Sequence, residues 1–270
     1  MSYNLNQFSV SRLSTFISCP FAFYLHYILK REAEFVSIFI GRGSALHEVL
    51  EKVNQDMQQG ILLSADSYMP LIKAKIKEHD VSPGAILQFP IYVADYTKKV
   101  FPKITDARII GVESKFDIPF TVEGKTYKFI GYLDLAVLRN SKVSIYDFKT
   151  KIKETPDLDI MLTRDLQIQS YSWIVHKFGR IQRGPIPKLC FDGAGIPVEE
   201  YGHIQYADKG QTSTMINNRI FNFDEIQERL TYWILQIENC IKKGYFPRNP
   251  SYCTYCDKKG FCLGHRKEGV

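Results

Sequence analysis

Apolar residues recur along this chain at helical spacing, then in alternation, then at helical spacing again. Leu13, Phe16 and Ile17 mark a first helix capped by Ser9 or Ser11, and Cys19-Pro20 interrupts it. Phe21, Tyr24, Leu25, Ile28 and Leu29 then resume the helical period. A second helix is predicted after Gly41-Arg42-Gly43-Ser44, buried through Leu46, Val49, Leu50 and Val53, with His47 at the border of that stripe. Residues 54–105 read as largely helical and carry no chemical motif. Val112, Ser114, Phe116 and Ile118 next alternate with Glu113, Lys115 and Asp117, and Glu123-Gly124 supplies a turn. Two β-rich runs, Gly131 to Val137 and Val143 to Thr150, flank the polar Arg139-Asn140-Ser141-Lys142 and predict a hairpin.

Leu166 to Phe178 reads as a helix ended by Gly179. Strands are predicted at Ile186 to Phe191 and Tyr201 to Tyr206, joined through Gly193-Ala194-Gly195. A long helix places Ile226, Leu230, Trp233, Ile234, Ile237 and Ile241 on one face and stops at Gly244 before a short, cysteine-rich tail. The order predicts an α/β fold, a mixed central β-sheet flanked by helices. No linker is visible, so one domain is expected over residues 1–270, with a mainly helical part (1–105), a catalytic sheet and helix (106–210), and a long helix with the tail (211–270).

Composition narrows the class. At 270 residues, 45% hydrophobic and 24% charged, the chain carries enough apolar content for a sizeable core. The longest uncharged run, Leu13 to Leu29, contains Ser14, Ser18, Pro20 and His26 and falls short of the ~20 apolar residues of a membrane span. Met1-Ser2-Tyr3-Asn4-Leu5-Asn6 lacks the basic and apolar regions of a signal peptide, which places the chain in the cytoplasm and favours metal ligation over disulfides for its six cysteines. A net charge of +6 is compatible with a nucleic-acid partner. Basic stretches lie at Lys73, Lys75 and Lys77, at Lys149, Lys151 and Lys153, and at Lys242 and Lys243. No Gly-x4-Gly-Lys-Ser/Thr motif occurs, so ATP hydrolysis by that route is excluded and any helicase serving the chain is a separate polypeptide.

The hairpin carries the first constellation. Asp134 lies in its first strand and Asp147 near the end of its second, so neighbouring strands bring the carboxylates together, and alternation puts Lys149 on the same face as Asp147. Two carboxylates beside an ammonium suit a divalent-metal site that cuts a phosphodiester. His47 is a candidate imidazole ligand and Glu113 a candidate carboxylate on the preceding strand. Gln167 and Tyr171, four apart, share a helix face and can orient a lysine, a water or a nucleotide. Phe21, Tyr24 and Tyr27 are available for stacking on bases.

The series Gly43-x-x-x-His47, Glu113, Gly131-x-x-Asp134, Asp147-x-Lys149 and Gln167-x-x-x-Tyr171 resembles the PD-(D/E)XK nuclease superfamily, specifically its RecB-like exonuclease branch. Tyr146-Asp147-Phe148-Lys149-Thr150 is similar to that branch's Asp-aromatic-Lys-Thr signature. Leu135 stands where many relatives carry arginine, and Lys151 where a glycine often closes the motif. The resemblance implies a restriction-endonuclease-like core in which His47, Asp134, Asp147 and the Phe148 backbone carbonyl bind Mg²⁺ or Mn²⁺. Lys149 would orient the attacking water, and Glu113, Gln167 and Tyr171 would complete the catalytic set. It implies a metal-dependent DNA exonuclease acting on ends, single-stranded by preference, in recombination, repair or phage DNA metabolism. Alternatives are trimming of fragments within a CRISPR-adaptation integration complex, and a non-catalytic DNA-binding adaptor subunit.

Cysteine supplies the second constellation. Cys253-x2-Cys256-x5-Cys262 reads as three metal ligands whose fourth partner is His265, giving a Cys3His zinc knuckle, or the distant Cys19. One N-terminal and three C-terminal cysteines resemble the iron–sulfur RecB-like nucleases, among them the CRISPR-adaptation nucleases and the nuclease domain of AddB helicase–nucleases. That resemblance implies a [4Fe–4S] cluster on Cys19, Cys253, Cys256 and Cys262 that staples the terminal segments together. Cys190 and Cys240 are expected in the core.

Overall fold

The computed structural model describes residues 5–32, 38–99, 108–151, 165–207, 212–217, 222–258 and 260–262. Their elements, in chain order, begin with β1 (Gln7–Phe8), α1 (Val10–Ser18), α2 (Pro20–Phe23) and a π-helical turn at Tyr24–Ile28. α3 (Ile38–Gln58), a 3₁₀ turn (Ala65–Tyr68), α4 (Met69–Glu78) and α5 (Ala85–Lys99) precede the strands β2 (Arg108–Val122), β3 (Lys125–Arg139) and β4 (Lys142–Lys151). α6 (Leu166–Phe178), β5 (Arg180–Gln182), β6 (Lys188–Cys190), β7 (Val198–Ala207), β8 (Thr212–Asn217), α7 (Phe223–Lys243) and a 3₁₀ turn (Pro250–Tyr255) complete the series. They form two compact units: Met1–Ser37 with Asp117–Gly131 and Asn222–Val270, and Ile38–Phe116 with Tyr132–Phe221.

The larger unit is a mixed sheet between helices. β4 runs antiparallel to β3 and parallel to β7, which runs antiparallel to β8. The β3–β4 turn Asn140-Ser141 has left-handed backbone at both residues, φ 46° and 65°, as does the β2–β3 turn Glu123-Gly124 of the smaller unit, φ 47° and 79°. That geometry matches the strand twist and fixes register. On one face, Leu46, Val49, Leu50 and Val53 of α3 and Phe89, Val93 and Tyr96 of α5 share a buried core with Leu135, Val137, Tyr146 and Phe148. α6 packs on β4 and β7. It is buried along most of its length, and the hydroxyls of Ser170 and Ser172 bond back to the Leu166 and Ile168 carbonyls, so no polar atom of these two is left dry.

Several boundaries depart from expectation for identifiable reasons. α3 starts at Ile38 and runs straight through Gly41-Arg42-Gly43-Ser44. Gly41 is there because a Cβ would lie 2.6 Å from the His79 backbone oxygen, and at Gly43 it would lie 3.2 Å from Thr150 Oγ1. These are close-approach glycines, which local sequence cannot tell from a helix start. β6 is shorter than expected because Pro185 and Pro187 cannot donate to a ladder, and Ile186 is exposed. β8 was not anticipated.

In the smaller unit β1 pairs parallel to β3 through Gln7↔Lys128 and Phe8↔Phe129. α7 buries Ile226, Leu230, Ile234 and Ile237, while Trp233 and Ile241 are half-buried. Asn222 caps its start, and Gly244 at φ 65° ends it. Phe16 meets Trp233 edge-on at 6.4 Å, and Tyr24 stacks on Phe246 at 4.8 Å. Phe21 lies under Arg248, and Tyr27 under Arg12, so these aromatics have protein partners. Ile17, expected within the apolar stripe of α1, is 39% exposed. Among the described residues no helix is long and apolar enough to cross a membrane.

Candidate active site

The β3–β4 ladder runs from Arg139↔Lys142 to Leu135↔Tyr146. Asp134 and Asp147 are the residues immediately past its last pair, one on each strand. Both carboxylates are buried, at 6% and 1% exposure, so each needs a partner. The Phe148 backbone N–H donates to Asp134 Oδ2 at 2.8 Å. Asp147 takes Lys149 Nζ on Oδ2 at 2.7 Å and the Gln167 amide N–H on Oδ1 at 2.8 Å.

Helix α6 completes the lysine's surroundings. Gln167 Oε1 accepts from Lys149 at 2.8 Å, and Gln167 Nε2 also donates to the Tyr171 hydroxyl at 3.2 Å. Gln167 stands in the first turn because Asp165 caps the helix, accepting from the Gln167 and Ile168 N–H groups. Sequence reading passed over Asp165, although an Asp directly before an apolar helical run is an N-cap signal. Burial lowers the Lys149 pKa, but Asp147 and Asp165 outweigh it and hold the ammonium above its ordinary range. Burial, with the Asp147 and Asp134 charges, raises the Tyr171 phenol and keeps it neutral.

α3 brings His47 to the other side of Asp134. Its Nε2 lies 2.9 Å from the Phe148 carbonyl oxygen. A carbonyl only accepts, so Nε2 carries the proton and Nδ1 is the nitrogen directed at Asp134 Oδ2 (3.7 Å) and Glu113 Oε1 (3.9 Å). The Phe148 ring meets His47 edge-on at 5.8 Å and Tyr96 at 5.7 Å, so this residue positions the imidazole with both backbone and side chain. His47, Glu113 and Asp134 each offer a ligand atom, all within 4.8 Å of one another.

Glu113 reaches this group through a break in β2. The strand alternates regularly from Lys115 to Val122 but not from Ile109 to Ser114, and Glu113 has φ 43°. A non-glycine residue in left-handed backbone inside a strand marks a bulge-like irregularity, a device that re-aims a side chain next to a site. Gly111 accommodates it, since a Cβ would lie 2.5 Å from Ser114 Oγ and 3.3 Å from Ala136 Cβ.

The local charges favour a cation at this group. Burial pulls the His47 pKa down, yet Glu113, Asp134 and Asp147 together lift it to about 9. Burial, with the charges of Asp147 and Glu113, raises Asp134 to about 7 against the opposing pull of His47 and the Phe148 N–H. A cavity of about 340 Å³ adjoins His47 and Glu113 and is also lined by Gly43, Ser44, Glu48 and Glu51. Glu48 and Glu51 had not been anticipated. They follow His47 at one and four positions on α3, so only the site's location reveals them.

In the smaller unit Cys19 and Cys256, each 7% exposed, share a buried cluster with Ala22, flanked by Phe21 and Tyr252. The Asn249 N–H donates to Cys19 Sγ at 3.4 Å, and its side chain donates to the Ser18 carbonyl at 2.7 Å, joining α1 to the tail. Burial raises the Cys256 thiol; the Lys258 N–H opposes this, while Asp257, Cys19 and Cys253 add to it. Cys262 is half-buried, with its N–H on the Lys258 carbonyl at 3.3 Å. Cys190 and Cys240 are half-buried elsewhere, and His265 lies outside the described residues.

No curated protein matches the chain. Among solved structures, one named "Putative exonuclease", from Eubacterium rectale, aligns with a TM-score of 0.53 at 13% identity, covering 90% of this chain and 84% of its own. The crystal structure of SSO0001 aligns with a TM-score of 0.46 at 15% identity over 97% and 88% of the two chains. The model of the PD-(D/E)XK nuclease superfamily matches residues 7–263, nearly the whole length, and the chain belongs to that superfamily.

Proposed function

We propose that this nuclease is a divalent-metal-dependent DNA exonuclease acting at free ends with a preference for single strands. The observation that carries the reading is the conjunction of two groups on β3 and β4: Asp134 within the His47–Glu113–Asp134 ligand set, and Asp147 within the Asp147–Lys149–Gln167 hydrogen-bonded set.

The donor set suits the expected ion. Carboxylate oxygens favour Mg²⁺, and one imidazole shifts preference towards Mn²⁺. Asp134, Glu113 and His47 Nδ1 would hold it, with Asp147 as a further ligand, while the Phe148 carbonyl, expected as another ligand, lies 2.9 Å from His47 Nε2, the ring nitrogen that faces away from such an ion. When bound, such an ion lowers the pKa of water and neutralises charge on phosphoryl oxygens. The chain's own residues supply the rest. The Phe148 carbonyl fixes the His47 tautomer, and the Phe148 N–H fixes Asp134. Lys149, kept protonated by Asp147 and Asp165, presents an ammonium to the attacking water and to the charge that grows on the phosphate. Gln167 holds that ammonium in place, and Tyr171 holds Gln167.

For the cysteines we propose a [4Fe–4S] cluster on Cys19, Cys253, Cys256 and Cys262. The burial of Cys19 beside Cys256 supports a site that includes the N-terminal cysteine. Thiolates alone, four of them, suit such a cluster.

The deciding experiment for the nuclease reading is digestion of end-labelled single- and double-stranded DNA in Mg²⁺, Mn²⁺ or EDTA. Shortening from the ends in metal, faster on single strands and abolished by EDTA, is expected. Retention of both substrates at full length in all conditions would overturn it.

A further inference from the structure

Tyr132 lies two residues from Asp134 on β3, so alternation puts its side chain on the carboxylate's face, about 7 Å further along the strand. Its neighbours Leu133 and Asp134 are buried, yet Tyr132 is 53% exposed. Single exposed aromatics are ordinary on a protein surface. Three features set this one apart.

It lies on the side of Asp134 away from the β3–β4 ladder, whose last pair is Leu135↔Tyr146. It is the large exposed apolar residue of β2, β3 and β4 among the described residues. Finally, β2 offers a cation across from it. The Glu123-Gly124 turn joins β2 to β3, and the Thr121 and Thr126 hydroxyls face each other at 3.0 Å. Counting on along the regular part of the hairpin puts Lys115, which is exposed, opposite Tyr132.

We propose that Tyr132 and Lys115 form the seat for the nucleotide next to the phosphodiester that is cut. The ring stacks on its base and the ammonium meets its phosphate. The proposal rests on the nuclease reading and deepens it by naming the substrate class. A phenol ring can seat only a base whose face is free, so the seat selects an unstacked nucleotide, as in a single strand or a frayed end.

The test uses a single-stranded oligonucleotide, with and without an abasic residue beside the cleaved bond, and compares wild type, Tyr132→Ala, Tyr132→Phe and Lys115→Ala. Tyr132→Ala is expected to raise KM about tenfold with kcat within about twofold, the weaker end of one base–aromatic stack. Tyr132→Phe should match wild type. Lys115→Ala should raise KM and flatten the dependence of KM on salt. The abasic residue should cost wild type the same factor and cost Tyr132→Ala nothing, and the wild-type arm needs no variant to fold. If wild type cuts neither oligonucleotide in Mg²⁺ or Mn²⁺, the nuclease reading fails and the seat with it. If wild type cuts both equally well and Tyr132→Ala matches it, the nuclease reading survives and the seat alone is overturned.

Discussion

The Gln167 amide oxygen accepts from Lys149 at 2.8 Å while the nitrogen of the same amide donates to Asp147 at 2.8 Å. One side chain on α6 thus spaces the two groups of the Asp-x-Lys motif. Gln167→Ala removes this spacer without opening the apolar core, since its neighbours on the helix stay packed. Turnover on single-stranded DNA should fall roughly 10- to 100-fold, the scale of losing an orienting contact. The melting temperature should change little. Gln167→Glu places a carboxylate against Asp147 and should be worse than Ala. A large loss of melting temperature with unchanged specific activity would make Gln167 a purely structural residue.

Asp147→Ala and Lys149→Ala each strike groups aimed at the reacting phosphate. Cleavage should drop by ~10²–10³ or more, as when a preorganised electrostatic group is deleted. Anisotropy with labelled oligonucleotide in Ca²⁺ should show most of the affinity retained. Full activity in folded Asp147→Ala protein would sink the assignment of this centre.

Metal affinity should rise with pH, and the signs can be worked out group by group. In metal-free protein His47 is raised from 6.5 to about 9, so its contribution to stability is complete below 6.5 and lost as pH climbs through 9. Asp134 is raised from 3.8 to about 7, so its proton-linked contribution is lost between those values. Both groups must release protons to bind a cation. In EDTA the melting temperature should therefore fall from about pH 6 to pH 9, and the increment gained on adding Mn²⁺ should grow over the same range. Differential scanning fluorimetry with and without Mn²⁺ measures both. An increment that shrinks with pH would contradict the arrangement of His47 between two carboxylates.

Much of this was legible in sequence because it is periodic. The hairpin around Asn140-Ser141, the alternation that pairs Asp147 with Lys149, and the four-residue spacing of Gln167 and Tyr171 all follow from local geometry. Features created by tertiary contact were not. Glu113 was a candidate carboxylate from its place in the motif series, but the left-handed backbone it adopts inside β2 was not foreseen. The early start of α3 depends on α4 approaching Gly41, a partner 38 positions away in sequence (79 − 41). Glu48 and Glu51 look like any solvated helix face until the cavity beside His47 is known.

The two glycines of α3 give a direct check on that packing. In Gly41→Ala the new Cβ meets backbone, the His79 oxygen at 2.6 Å, and one helix must shift. A loss of about 1–3 kcal/mol is expected, as for overpacking. In Gly43→Ala it meets only the Thr150 hydroxyl at 3.2 Å, a side chain that can rotate away. That variant should be close to neutral, or gain slightly from better helix propensity. Urea denaturation of both orders them; a Gly43→Ala protein weaker than Gly41→Ala would reverse the packing argument.

The cysteines separate two metals by a single residue. A [4Fe–4S] cluster on Cys19, Cys253, Cys256 and Cys262 makes anaerobically purified protein brown, with about four irons per chain. Cys19→Ala should bleach it and lower the melting temperature, because the Asn249 contacts to Cys19 and Ser18 that join α1 to the tail then lose their anchor. A Cys3His zinc site would ignore Cys19 and depend on His265. Metal analysis of Cys19→Ala beside His265→Ala therefore decides the matter without any assay of cleavage. Colourless protein with one zinc, kept in the first variant and lost in the second, would remove the cluster and leave the buried Cys19–Cys256 pair as packing alone.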